Sequence, residues 1–120
     1  MIEPTLQELI DKFNIISNAL SVDKFNYPQL KIFMRMNWDK PESIFYASLT
    51  HVEVKRGGIL ESTYGNGATP EEAIRDYYKQ IVGKRLVYRA MNKGYRRECV
   101  VVWIISMENK KSIGLNLTTA

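Results

Sequence analysis

The chain has very few of the residues that build disulfides, zinc sites and nucleophilic active sites. Its 120 residues include one cysteine, Cys99, and one histidine, His51. A single cysteine excludes an internal disulfide and a zinc site made of cysteines. A hydrolase would need Cys99 and His51, or two carboxylates such as Asp39 and Glu42, to converge in the fold. Structural roles explain these residues more simply. His51 lies in a predicted strand, Cys99 is a thiol of the core, and the two acids belong to a turn. We therefore expect a protein that is not an enzyme, with no cofactor and no metal.

Long apolar segments are also missing. The longest uninterrupted apolar run, Val100 to Ile105, is far shorter than the roughly 20 residues that span a bilayer. The amino terminus lacks the basic segment and apolar core of a secretory signal. We therefore expect a cytoplasmic protein without membrane contact. A composition of 45% hydrophobic and 25% charged residues is typical of folded proteins, and it predicts a single domain over residues 1–120.

Two segments have the start and stop signals of helices. Thr5 and Glu8 have the spacing of a capping box, and apolar residues then recur at helical spacing up to Leu20. The second helix has Thr69 as its expected N-cap and Pro70 at its first position. Gly83 is its expected left-handed stop. The sequence thus predicts helices over about 6–20 and 70–82.

The segments between and after these helices have strand patterns. Leu30 to Trp38 alternates, which predicts a half-buried strand with Ile32, Met34 and Met36 in the core and Lys31, Phe33 and Arg35 outside. Further strands are predicted over 43–55, 59–64, 84–91 and 95–106.

Turn and loop signals join these strands. Ser43 to Lys55 alternates imperfectly, which indicates a bulge or burial on both faces. Gly57-Gly58 predicts a tight hairpin, and the three residues Asn92-Lys93-Gly94 predict a second one. Residues 113–117 fit either an edge strand or a tail. The predicted order is α-β-β-β-α-β-β, an α+β fold with one antiparallel sheet and both helices on one of its faces.

Positive charge is concentrated in one part of the chain. The net charge is only +4, but residues 77–97 contain seven bases and no acid. On the first strand of the predicted hairpin, alternation places Arg85, Val87, Arg89 and Met91 on one face. Arginine binds phosphates bidentately and tyrosine stacks on unpaired bases. The alternative is that these charges only solvate and protect an edge strand. The candidate binding residues are Lys84, Arg85, Tyr88, Arg89, Lys93, Tyr95, Arg96 and Arg97.

The loop Gly65-Asn66-Gly67 precedes the second helix, where phosphate-binding loops lie. It lacks the lysine and the remaining glycines of the nucleotide-binding motifs. Glu71 and Glu72 would also face a bound phosphate. The favoured interpretation is therefore structural.

Parts of the chain resemble known families. The first five predicted elements resemble the double-stranded-RNA-binding fold, αβββα. This chain has carboxylates at the start of the second helix, where that fold usually has lysines, so the resemblance implies the fold rather than its RNA contact. The stretch Gly67-Ala68-Thr69-Pro70-Glu71-Glu72-Ala73-Ile74 is similar to HicB-type antitoxins with a partial ribonuclease-H-like fold.

A third resemblance covers about a third of the chain. Gly67 to Ala73, with Gly83-Lys84 and Leu86-Val87-Tyr88, resembles small early-region proteins of phages and prophages of Gram-positive bacteria. It implies a small, cytoplasmic, non-catalytic accessory protein.

Two functional hypotheses follow. The first is a phage-type binding protein that contacts nucleic acid or a nucleoprotein through the basic hairpin. The alternative is an inhibitor of a host or anti-phage defence protein, for example of CRISPR type, with no nucleic-acid contact of its own. In that case the hairpin would dock into an acidic groove. The identity of the partner and the oligomeric state stay open.

Overall fold

The computed structural model describes residues 4–36 and 39–101, which form two helices and seven short antiparallel strands. The α+β class predicted from the sequence is confirmed. A 3₁₀ turn at Pro41–Ser43 precedes the second strand. The elements are α1 (Leu6–Leu20), β1 (Leu30–Met34), β2 (Phe45–Leu49), β3 (Val52–Arg56), β4 (Ile59–Ser62), β5 (Gly65–Gly67), α2 (Pro70–Ile81), β6 (Arg85–Tyr88) and β7 (Arg97–Val100).

Both helices begin where their capping residues predict. The Thr5 hydroxyl accepts a hydrogen bond from the Glu8 amide at 3.1 Å, and the Glu8 carboxylate accepts one from the Thr5 amide at 3.0 Å. At α2 the Thr69 hydroxyl accepts from the Glu72 amide at 3.1 Å. Gly83 follows α2 with φ +77°, a conformation that favours glycine. The predicted capping box, N-cap and stop are confirmed.

The strands lie in two sheets instead of the single predicted one, in the orders β1-β2-β5 and β4-β3-β6-β7. We call them the first and the second sheet. The predicted strand over 43–55 is divided, because the chain leaves the first sheet after Leu49 and enters the second at Val52. The return crossing lies between β4 and β5. Five short strands therefore separate the helices, where three were predicted.

Thr50 and His51 form a turn at which the chain bends from one sheet into the other, so the mixed alternation comes from this bend and not from a bulge within one strand. His51 has φ +58°. The bend changes which alternate residues face the core: Ala47 and Leu49 before it, Val52 and Val54 after it. The core-facing positions thus change from odd to even numbers at the bend. Because the sequence does not show where this change occurs, the alternation over residues 43–55 appears mixed.

The core joins both helices to both sheets, and α2 lies directly on the first sheet. A Cβ atom at Gly65 would be 2.2 Å from the Ala73 carbonyl oxygen and from the Tyr77 amide nitrogen. A Cβ atom at Gly67 would lie 2.5 Å from the Glu72 Cβ. The two glycines therefore permit close packing of helix on strand, which agrees with the structural interpretation of this loop.

The burial predicted for the first strand is wrong. Ile32, Met34 and Met36 are exposed, Met34 to 55%. The reason is the position of β1 at the edge of the first sheet, since α2 covers mainly β2 and β5. Trp38, residues 102–106 of the last predicted strand and segment 113–117 lie outside the described residues.

Neither described helix is long and apolar enough to cross a membrane.

Candidate functional site

The predicted basic hairpin forms, but with a longer loop. Strand β6 ends at Tyr88 and β7 begins at Arg97, so residues 89–96 form the loop instead of Asn92-Lys93-Gly94 alone. Arg89 has φ +48°, which ends the strand alternation there. The prediction that Arg89 and Met91 continue the face of Arg85 is therefore wrong. The Asn92 side chain orders the loop by accepting hydrogen bonds from the amides of Gly94 and Tyr95.

One carboxylate neutralises part of the basic segment. Glu98 accepts from Arg96 at 2.9 Å and lies 3.5 Å from the Arg85 guanidinium. Glu98 is largely buried between them, which strengthens the ion pairs. The acid-free window in the sequence ends one residue before this acid. Arg85 and Arg96 thus have a carboxylate partner inside the fold.

The other four bases of the segment 84–97 have no carboxylate partner among the described residues. Arg89 donates from Nε to the Tyr88 hydroxyl at 3.0 Å. Arg97 donates to the main-chain oxygen of Arg96 at 2.8 Å. Lys84 and Lys93 are exposed. We call Lys84, Arg89, Lys93 and Arg97 the basic group.

The two tyrosines proposed for stacking differ in accessibility. Tyr88 is 1% exposed and belongs to the core, because it faces inward from β6 opposite Val52. Its ring cannot stack on a base in this structure, which corrects the expectation for this residue. Tyr95 lies at the surface of the loop and remains accessible.

A groove of about 770 Å³ lies where the two sheets separate. The bend at Thr50-His51 and residues 89–92 of the loop line it. The loop lies beside the bend because the pairing of β6 with β3 ends with Tyr88 opposite Val52. The Arg89 amide then donates to the His51 carbonyl at 2.9 Å, so this bond joins two residues with positive φ.

Three aromatic rings also line the groove. Phe33 and Tyr46 are direct cross-strand neighbours and stack with ring centres 5.0 Å apart, and Tyr64 meets Tyr46 edge-on at 5.7 Å. The guanidinium carbon of Arg35 lies 4.5 Å from the Tyr46 ring centre. Phe33 and Tyr64 are 42% and 45% exposed. We call Phe33, Tyr46 and Tyr64 the aromatic cluster.

The sequence patterns did not predict the aromatic cluster, although one signal was present. Phe33 occupies a solvent-facing position between Lys31 and Arg35, where a purely structural strand would have a polar residue. In the sequence Tyr46 has the same parity as Val52 and Val54, but the bend at His51 places it on the opposite side from the core. Tyr64 was placed at the end of a strand, which gave no information about its neighbours.

The lone thiol, Cys99, is buried in the core. Burial raises the pKa of Cys99 to about 11, and the nearby charge of Arg85 offsets only part of this increase. A thiol held protonated is a weak nucleophile. The described residues contain no group of three or more His, Cys, Asp or Glu side chains placed to share a metal ion.

No known protein family, curated protein or solved structure matches this chain.

Proposed function

We propose that the chain is a non-enzymatic binding protein whose basic group contacts the phosphates of a nucleic acid. The observation that supports this most directly is the basic group itself: four positive charges around one loop and its flanking strands, none paired with a described carboxylate. Fixed cations of this kind attract polyanions and release their counterions. Two of these charges, Arg89 and Lys93, lie in the long loop of residues 89–96.

The arginine geometry supports phosphate contact. Arg97 is held by main-chain oxygens and Arg89 by the Tyr88 hydroxyl, so both guanidinium groups are positioned without losing their charge. Positioning before binding reduces the side-chain entropy lost on association. Solvated charges that only protect an edge strand would not need to be held in this way.

The proposal is tested by the salt dependence of binding. Labelled single-stranded and duplex DNA and RNA are titrated by fluorescence anisotropy at several salt concentrations. Four phosphate contacts predict a slope of log K against log salt of about −3 for single strands. A double variant, Lys93→Gln with Arg97→Gln, should reduce the steepness of this slope by about 1.5. The matched control is Lys24→Gln with Lys40→Gln, which removes the same charge from exposed positions outside the basic segment.

Glu98→Gln gives an independent test with the opposite sign. This change removes the acid that pairs with Arg85 and Arg96, so binding should become tighter and the slope steeper. Absence of salt-sensitive binding at the lowest salt concentration would contradict the proposal. Equal behaviour of the Lys93/Arg97 variant and its control would contradict it as well.

A second candidate function is the inhibition of a protein partner through the same loop. Met91 favours it, because this residue is 95% exposed beside the cations, and methionine adapts well to protein surfaces. The partner would present an acidic groove to the basic group. Affinity purification from a bacterial lysate, with and without nuclease, separates the two functions. A protein retained after nuclease treatment supports the second candidate, whereas one lost on treatment supports nucleic-acid binding.

A further inference from the structure

The outer face of the first sheet has no covering element among the described residues. Alternation places Lys31, Phe33 and Arg35 on this side of the β1 segment, with Tyr46 and Ser48 on β2 and Asn66 on β5. Helix α2 lies on the opposite side, against Gly65 and Gly67. Ser48 is buried on this side, but Lys31, Phe33 and Asn66 are exposed and accessible to a ligand.

The composition of this face matches one kind of ligand. Its six positions hold two bases, two aromatic rings and two neutral polar groups, and none holds an acid. Glu53 lines the groove from the second sheet, beyond the bend. A surface that combines exposed rings with cations is complementary to bases joined by phosphates.

The aromatic cluster is arranged so that its outer rings are available for stacking. Tyr46 is enclosed by its neighbours, with Phe33 nearly parallel at 22° and the Arg35 guanidinium over its ring. It therefore supports the cluster. Phe33 and Tyr64 contact Tyr46 and still expose two-fifths of their surface. Rings fixed by such contacts lose little entropy when a base stacks on them.

We infer that the aromatic cluster stacks unpaired bases, so that the ligand of the proposed function is single-stranded nucleic acid. This inference rests on the proposed function, because the basic group supplies the phosphate contacts while the cluster selects unpaired bases. A paired base has its faces covered by its neighbours in the duplex and cannot stack on a protein ring without being extruded.

The test measures the affinity for single strands and duplexes of the same sequence, as DNA and as RNA. The double variant Phe33→Ala with Tyr64→Ala should weaken single-strand binding by about tenfold for each ring. The affinity for duplex should not change. The slope of log K against log salt should also stay unchanged, since no charge is removed. The Lys93/Arg97 variant should show the reverse pattern, with a changed slope for every nucleic acid.

Phe25→Ala is the matched control. This ring is 79% exposed, and the Lys24 ammonium lies 5.1 Å from its centre, so it is a surface ring with a cation outside the groove. Circular dichroism establishes that each variant is folded. If the double alanine variant does not fold, Phe33→Leu with Tyr64→Leu keeps the side-chain bulk but removes the rings.

The outcomes separate the two proposals. Selective loss of single-strand binding at constant slope supports the inference. The inference is overturned if single strands and duplexes bind with equal affinity and the ring variants leave that affinity unchanged. If this binding is salt-sensitive, the proposed function stands. Absence of binding to every nucleic acid overturns both.

Discussion

Helix α2 lies very close to the first sheet at Gly65, and replacement of this glycine by alanine should severely destabilise the protein. The added Cβ would lie 2.2 Å from two backbone atoms of α2, whereas an ordinary contact needs about 3.4 Å or more. Backbone atoms cannot rotate aside, so the helix has to move outward by roughly 1 Å. A gap of that width removes about a quarter to half of each dispersion contact along the interface.

The loss of stability in Gly65→Ala can be estimated from the usual cost of overpacking. Overpacking by one methyl group costs about 1–3 kcal/mol when side chains can adjust. Here Ile74, Tyr77 and Ile81 would also lose contacts, so we expect the free energy of unfolding to decrease by about 3 kcal/mol or more. Gly58→Ala is the matched control, because nothing lies within 4 Å of its added Cβ and its φ is not positive. That change should alter stability by less than about 0.5 kcal/mol.

Urea denaturation followed by far-UV circular dichroism measures both variants, and an unchanged m-value establishes that the denaturation midpoints can be compared. If Gly65→Ala is as stable as Gly58→Ala, the close approach of α2 to β5 is wrong. The position of the helix relative to the first sheet would then have to be revised.

Two further predictions concern the bend and the core. His51→Gly should be more stable than His51→Ala by about 1 kcal/mol, because φ +58° is costly for a residue with a Cβ; equal stability would contradict the left-handed bend. Burial also raises the pKa of Cys99 to about 11 and that of Tyr77 to about 12. The unfolded chain loses these protons at lower pH, so stability should fall as pH rises above about 9. A urea midpoint constant from pH 8 to 11 would contradict this burial.

The sequence was sufficient to predict the helices but not the arrangement of the strands in two sheets. Local hydrogen bonds determine a helix start, so Thr5 and Thr69 could be identified as caps without any tertiary information. The division of the strand at His51 depends on which partner each half pairs with, and such long-range pairing leaves no local pattern. The exposure of Met34 has the same origin, because alternation indicates two faces of a strand but not whether a helix covers one of them.

Only part of the candidate site could be predicted from the sequence. The basic segment was visible as a charge run, but Glu98 lies just outside it and pairs with two of its arginines. Tyr88 looked like a ring available for stacking because sequence parity cannot distinguish the core face from the solvent face. Phe33 and Tyr64 meet only through Tyr46, after the chain has crossed between the sheets. Their proximity is a property of the fold and not of the spacing.

The division of the strands also has a consequence for the order of folding. The pairings of β1 with β2 and of β3 with β4 join residues close in sequence, whereas β3 and β6 pair Val52 with Tyr88. Closing a short loop costs less entropy and is faster. Strands β1 and β2, which hold Phe33 and Tyr46, can therefore pair early, whereas the second sheet is complete only after β6 has paired with β3. The loop of residues 89–96 can form locally between β6 and β7, but it reaches the bend at His51 only through this long-range pairing.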